Sequence, residues 1–192
     1  MNDSKQQKGV ELLRQFLSSF SSLDASKVEQ LQPFIPVEFF PKGTVLMEDG
    51  KIPDACYYVL EGLLREFKWD DGEDRTLEFY SERKGTVSAR HFIHQTPSDV
   101  FVECIEDSYL IVGSREVDAA NYERFPELIE ITRAMLETDL SEKSEQFQNF
   151  VHASPEKRYI DFTEQRPELQ QRVPLHQIAS YLGMKPESLS RI

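Results

Sequence analysis

The stretch that most restricts how this chain can fold is residues 126–151, which contain no glycine and no proline after Pro126. They predict one helix of about seven turns. Two apolar stripes run along it: one has the 7-4-7-4 spacing of a coiled-coil seam, and the other is placed to pack on the protein body. The seam stripe comprises Ile129, Leu136, Leu140, Phe147 and Val151, and the second stripe Leu128, Ile131 and Met135. A helix with two apolar stripes needs two partners, so we favour a homodimer seam; the alternative is a helix packed wholly on its own chain.

The residues before this helix change from a helical to a β pattern. Residues 8–20 and 25–31 predict two short helices, the second capped by Asp24 or Ser22. From residue 37 to residue 112, short runs of β-branched and aromatic residues alternate with Gly-containing turns. Their spacing fits an eight-stranded jelly-roll barrel. Cys56 and Cys104 lie alone in two of these runs, which indicates buried thiols rather than a disulfide or a metal pair.

The last twenty residues, VPLHQIASYLGMKPESLSRI, predict a helix–turn–helix. Leu175, Ile178 and Leu182 share one face of a short helix, Gly183 can end that helix, and Pro186 suits the first turn of the next. The alternative is an ordinary helical hairpin that closes a domain. Upstream, Ser154-Pro155 predicts a hinge before a helix over residues 156–165. We therefore divide the chain into a β-rich domain with its N-terminal helices (1–125), a long helix for dimerisation (126–153) and a helix–turn–helix domain (154–192).

Charge is distributed unevenly between these parts. The net charge is −12, but residues 154–192 carry six basic and five acidic side chains, a net charge of +1. The remainder therefore carries −13. Because the phosphate backbone is anionic, any DNA contact should be confined to the tail. The N-terminus lacks a signal-peptide pattern, and no apolar run approaches the roughly 18 residues needed to span a bilayer, so we expect a cytoplasmic protein without a membrane partner.

Three segments carry a family resemblance: FFPKGTVLMEDG, YYVLEGLLREF and RPELQQRVPLHQIASYLGMKPESLSRI. With the order of the elements, they make the chain resemble the Crp/Fnr family of bacterial transcription regulators. The resemblance implies an α+β fold, with N-terminal helices, a cyclic-nucleotide-binding-like jelly-roll barrel, a long dimerisation helix and a C-terminal helix–turn–helix. It implies a non-enzymatic homodimer on double-stranded DNA, with RNA polymerase as a further candidate partner.

The resemblance also assigns candidate DNA contacts. Glu187, Ser190 and Arg191 match an E-x-x-S-R pattern with which this family contacts a half-site. Glutamate accepts from cytosine and arginine donates to guanine, and residues four apart share a helix face. Contacts to the DNA backbone are expected at His176, Lys185 and Ser188. A Glu187–Arg191 salt bridge within the helix is the plain alternative. By family length the motif should extend two residues past Ile192, so we expect an incomplete recognition helix and weak binding if nothing follows.

The effector position departs from the nucleotide-binding members of the family. They hold the ribose with Gly-Glu and the cyclic phosphate with Arg-Ser or Arg-Thr, where this chain has Val87-Ser88 and Ser98-Asp99. A carboxylate at Asp99 would repel the phosphate, so cyclic AMP is not the expected effector. Arg90 and His91 are weak candidates for binding an anionic effector of unknown identity.

No cofactor is expected. His91 and His94 lack a third ligand for a metal, and an iron–sulfur cluster needs four cysteines. The alternative functions are a small-molecule-binding module whose tail no longer binds DNA, and a jelly-roll enzyme, which the missing metal ligands disfavour.

Overall fold

A computed structural model describes residues 3–82 and 90–192. Two N-terminal helices precede a β-rich region that contains one short helix. Five further helices follow this region. The helices are α1 (Asp3–Ser18), α2 (Ala25–Leu31), α3 (Arg90–His94), α4 (Arg115–Arg124), α5 (Glu127–His152), α6 (Pro155–Gln165), α7 (Leu175–Tyr181) and α8 (Pro186–Leu189). The strands are β1 (Val37–Phe40), β2 (Val45–Met47), β3 (Ala55–Glu61), β4 (Leu64–Asp70), β5 (Glu73–Tyr80), β6 (Phe101–Cys104) and β7 (Ser108–Ser114).

The strands form a sandwich of two antiparallel sheets, with orders β1-β7-β3 and β2-β6-β4-β5. The expected closed, eight-stranded barrel is therefore wrong for the described residues, which form seven strands in two separate sheets. Large side chains from both sheets, including Met47, Val59, Leu64, Val102 and Leu110, fill the layer between them. Sheets packed face to face lie about 10 Å apart, too far for hydrogen bonds between them.

Sequence signals placed most element boundaries correctly. Asp24 caps α2 by accepting a hydrogen bond from the Lys27 N–H at 2.9 Å. Asp71 and Gly72 both have positive φ in the two-residue turn between β4 and β5, the backbone that favours Asp-Gly. Helix α1 extends from Asp3 to Ser18, beginning earlier and ending sooner than predicted, while the long helix matches its predicted range within a residue.

Helix α5 separates its two apolar stripes as predicted. Leu128 and Ile131 are buried with α1 and α2, and Met135 packs against the same cluster. The seam stripe is exposed in the single chain, with Leu140 at 71% and Phe147 at 70% exposure. The homodimer stays a prediction. None of the described helices combines the length and hydrophobicity required to cross a membrane.

Gly62 connects β3 to β4 at a tight point beside β7. Its φ is +115°, and a Cβ atom there would lie 2.7 Å from Ser108 Cα and would also overlap the Ser108 hydroxyl. Gly72 has a similar positive φ of +79°, but a Cβ there would meet no atom within 4 Å. Both glycines have a positive φ, but only Gly62 lacks room for a side chain.

We expect Gly62→Ala to destabilise the chain by about 3–5 kcal/mol, because backbone strain and overpacking add. Gly72→Ala, the matched control, should cost only about 1–2 kcal/mol from the left-handed backbone alone. Chemical denaturation of both variants measures the difference. Equal losses would show that the contact with Ser108 is relieved by relaxation.

Candidate functional site

The C-terminal tail, residues 154–192, is a helical unit whose apolar side chains form one buried cluster with two residues of the sandwich. Ser154 caps α6 by accepting from the Lys157 N–H at 3.2 Å, and Pro155 occupies the first turn, as the sequence predicted. Helices α6, α7 and α8 bury one side chain cluster between them, which includes Phe162, Leu169, Ile178, Leu182 and Leu189.

The connection between α7 and α8 is a tight turn at Gly183. Its φ is +67°, and the Met184 N–H donates to the Ala179 carbonyl at 2.8 Å, which closes the end of α7. Helix α8 spans only Pro186–Leu189, so Arg191 lies beyond its end. The expected shared helix face of Glu187 and Arg191 is therefore not formed, and the pair makes no ion pair within the described residues.

All six predicted DNA contacts are exposed: His176, Lys185, Glu187, Ser188, Ser190 and Arg191. The Ser190 hydroxyl donates to the Glu187 carbonyl at 3.0 Å, so this serine is partly engaged by its own turn. Lys185 and Arg191 form no ion pair in the parts of the chain that the structure covers. They are the tail cations that remain available to an external anion.

The other long tail cations contact the protein itself. The Arg158 guanidinium donates to the carbonyls of Phe150 and Leu182 at 3.2 and 3.3 Å, which ties α6 to the end of α5 and to α7. Arg166 is 6% exposed and contacts Glu78 and Ser81 on the sandwich side, at 3.2 and 3.4 Å. The positive charge counted from the sequence thus overstates what DNA can contact.

The tail packs directly on the sandwich. Leu63 and Phe79 belong to the tail's apolar cluster, and the Phe79 and Tyr181 rings lie 5.5 Å apart, centre to centre. The Thr76 N–H donates to the Ser180 hydroxyl at 2.9 Å, which attaches α7 to strand β5. The predicted hinge at Ser154-Pro155 therefore lies between two units that share a buried contact.

Arg172 is the polar centre of this contact. Its guanidinium donates to the Glu106 carboxylate at 2.7 Å, to Glu82 at 3.0 Å and to the Gly62 carbonyl at 2.9 Å. These hydrogen bonds, with Glu106 first, raise the pKa of Arg172 further above its usual value. Burial works to raise the pKa of Glu82, but the bonds from Arg172 and from the Gly62 N–H outweigh it and hold that pKa below its usual value. One side chain in the tail thus bonds three groups of the sandwich.

Three of the predicted DNA contacts line a groove between the tail and β5. His176, Lys185 and Glu187 lie on one side, and two acidic residues and one basic residue of β5, Glu73, Asp74 and Arg75, on the other, around a space of about 660 Å³. A helix that contacts bases must enter a major groove about 12 Å wide, with DNA on both of its sides. In this arrangement the acidic strand β5 occupies one of those sides. The docked tail therefore presents only part of its surface to a duplex.

The predicted effector residues are only partly brought together. Val87 and Ser88 lie outside the described residues. His91 is buried, and its Nε2 lies 2.7 Å from an Asp99 carboxylate oxygen, which lowers the pKa of Asp99. The Ser98 hydroxyl is turned inward and donates to the Val100 carbonyl at 2.8 Å, and Arg90 is exposed.

Asp99 is thus already paired with His91, and its place at a phosphate position stays a prediction. No group of three or more His, Cys, Asp or Glu side chains within residues 3–82 and 90–192 is arranged to hold a metal ion. Sequence reasoning missed two features: the contacts of Arg172, and an apolar cavity beside α4 and α5. Neither has a sequence signal, because each depends on residues far apart in the chain.

Comparison with known proteins supports the fold. Residues 37–117 match the family model described as the cyclic nucleotide-binding domain. No curated protein matches the chain. Among solved structures, the Thermus thermophilus catabolite activator protein is 21% identical, with a TM-score of 0.54 over 90% of this chain and 83% of that one.

Two other solved structures are similar. FixK2 from Bradyrhizobium japonicum is 15% identical, with a TM-score of 0.66 over 82% of this chain and 81% of that one. CLP from Xanthomonas campestris, described as a c-di-GMP-responsive global regulator, is 19% identical, with a TM-score of 0.66 over 88% and 89%. A cyclic-nucleotide-binding-type sandwich followed by a long helix is thereby confirmed, in an α+β fold similar to that of these regulators. The helix–turn–helix function of the tail stays a prediction.

We expect Arg172→Gln to lower the free energy of unfolding by about 2–3 kcal/mol, because hydrogen bonds between charged groups are lost. The pKa of Glu82 is lowered in the fold, so its contribution is present above the unfolded pKa of about 4.5 and is lost as pH falls through the lower folded value.

Chemical unfolding of the wild type and of Arg172→Gln, from neutral to acid pH, measures how the free energy of unfolding of each depends on pH. The stability of the wild type should decline toward acid more steeply than that of the variant. The matched control is Arg133→Gln, which removes an exposed pair with Glu130 on α5 and should change stability by less than about 1 kcal/mol. Parallel pH profiles for wild type and Arg172→Gln would contradict the role of Arg172.

Proposed function

We propose that this chain is a transcription regulator of the Crp/Fnr type that binds a palindromic DNA operator as a homodimer. The observation that carries the proposal is the exposed set of polar side chains around the α7–α8 turn, on a tail connected by Ser154-Pro155 to a helix with an exposed apolar stripe. A dimer along that stripe would bring two such tails to one side of a duplex. Half-sites would then lie about 34 Å apart.

Control by a small-molecule effector is part of the proposal. The docked tail supports it, because the groove beside β5 gives the predicted DNA contacts an acidic neighbour. Release of Arg172 from Glu82 and Glu106 would let the side of the tail that faces β5 move away from the sandwich. An effector that favours the released arrangement shifts the population toward DNA binding. We propose that this effector is not cyclic AMP, since the expected phosphate position carries the Asp99 carboxylate, which already pairs with His91.

A second candidate function is a small-molecule sensor whose tail does not bind DNA. The docking of the tail on the sandwich favours it, because Thr76 attaches α7 to strand β5 and Arg172 bonds Glu82 and Glu106. The two candidates differ in one measurable property. A sensor module would select no DNA sequence even when the tail is released by Arg172→Gln, whereas a regulator would.

Selection of bound fragments from random duplex DNA tests the main proposal, and we expect an enriched palindrome. On that operator, Arg191→Ala should cost about 1–3 kcal/mol and relax the preference at one base pair. Lys185→Gln should weaken operator and random DNA alike, because a phosphate contact carries no sequence information. Arg14→Gln on helix α1, which removes an exposed pair with Glu11, is the charge-matched control. No enriched palindrome with either the wild type or Arg172→Gln would favour the sensor module.

The homodimer is tested separately by light scattering at a fixed concentration. We expect a mass near twice the 22.3 kDa of one chain. Leu140→Glu should dissociate it, since a charge at the centre of an apolar seam loses its hydration. Ile52 is also exposed, at 52%, but lies in the β-rich region, so Ile52→Glu should leave the mass unchanged. A monomeric wild type, or a dimer that withstands Leu140→Glu, would refute the seam.

A further inference from the structure

An apolar cavity of about 600 Å³ lies beside the three-stranded sheet, between strands β3 and β7 and helices α3, α4 and α5. Its walls are formed mainly by Tyr58, Phe92, Ile111, Tyr122, Met135 and Leu136. The effector residues that the sequence suggested within the described part of the chain, Arg90, His91, Ser98 and Asp99, do not line it. This is therefore a separate space from the expected phosphate position.

The size and lining of the cavity suit a small organic molecule. Ligand sites typically enclose about 300–1,000 Å³ and combine apolar walls with a few polar groups. The walls here come from five elements, so an occupant would touch both the sandwich and the helices. An apolar ring or short hydrocarbon body would fill the space at the least desolvation cost.

Arg115 is the cation of this cavity. One of its terminal nitrogens, Nη2, donates to the carbonyls of Phe92 and Ile93 at 3.2 and 2.7 Å. The same guanidinium makes no ion pair with any carboxylate in the described part of the chain. No hydrogen bond to the described residues engages its Nε or Nη1, so each can still donate a charge-assisted hydrogen bond to an anion.

Asp118 is the one carboxyl group among the residues that line the cavity. It is half-buried, and burial raises its pKa, so that protonation of this group costs less than it would in water. Burial also raises the pKa of the Cys56 thiol to about 11, so that thiol is uncharged at neutral pH. Tyr57 and Tyr58 likewise have pKa values raised by burial.

We propose that this cavity binds a small carboxylic acid with an apolar body, whose carboxylate pairs with Arg115. Its role as the effector site rests on the proposed function of the chain; the binding itself does not. An occupant would contact α5 through Met135 and Leu136, and Leu136 is also a member of the exposed seam stripe. The Tyr122 and Thr132 hydroxyls, 3.1 Å apart, connect α4 to α5 across the same space. Ligand binding is thereby coupled to the helix that carries the tail.

Titration calorimetry with 2-naphthoate and with decanoate tests the site on the whole chain without DNA. We expect one molecule per chain. Arg115→Gln should weaken both acids at least about tenfold, as the loss of a charged hydrogen bond predicts. Arg133→Gln, an equal charge change outside the cavity, should not. The uncharged analogue 2-naphthamide should bind wild type and Arg115→Gln equally, which shows an intact cavity. If the variant also loses the amide, Arg115→Lys retains the charge and should retain the acids better than Arg115→Gln.

The results separate the site from the function. Failure of both acids to bind at about 1 mM overturns the site, as does equal binding to wild type and Arg115→Gln, or equal loss in Arg115→Lys and Arg115→Gln. Binding that depends on Arg115 supports it whether or not the chain selects DNA. On a selected operator, a change in DNA affinity with 2-naphthoate supports the effector role, and unchanged affinity overturns it. A chain that binds the acids and selects no DNA leaves the site standing and removes the proposed regulator.

Discussion

The contacts of Arg172 decide how the two ends of this molecule are arranged. The Arg172 guanidinium bonds Glu106, Glu82 and the Gly62 carbonyl. These bonds hold the residues just before α7 against the sandwich. The position of Gly62 is itself determined by its close approach to Ser108. Apolar packing of Phe79 against Tyr181 adds area to the contact, but the charged hydrogen bonds give it direction.

Helix α5 connects the sandwich to the tail, the two parts that Arg172 holds together. One stripe is buried against α1 and α2, and the other is exposed along most of the helix. The cavity beside α4 uses Met135 from the buried stripe and Leu136 from the exposed one. A molecule bound there, a second chain on the seam and the docked tail would all act on the same rigid element. This gives the proposed regulator a physical route from ligand to DNA without any change in the sandwich core.

Much of the fold was predictable from local patterns. The β-branched and aromatic runs of the strands, the caps at Asp24 and Ser154 and the Asp-Gly turn each depend on residues close together in the chain. Closure of the barrel was predicted wrongly, because strand spacing does not specify which edges pair. The DNA contacts of the candidate site stay a prediction: His176, Lys185 and Glu187 are exposed, and Arg191 lies beyond the end of α8.

The sequence by itself determined the order of the elements, the two stripes of the long helix and the turn at Gly183, because these follow from backbone propensity and apolar periodicity. Only the tertiary structure decided what each charge contacts. Arg166 and Arg172 count as tail cations in the sequence, yet they bond Glu78, Glu82 and Glu106 across the fold. Arg115 likewise gains its position only when α3, α4 and the sheet meet around the cavity. Which charges pair depends on their distance in space, and the distance between two residues along the chain does not determine that distance.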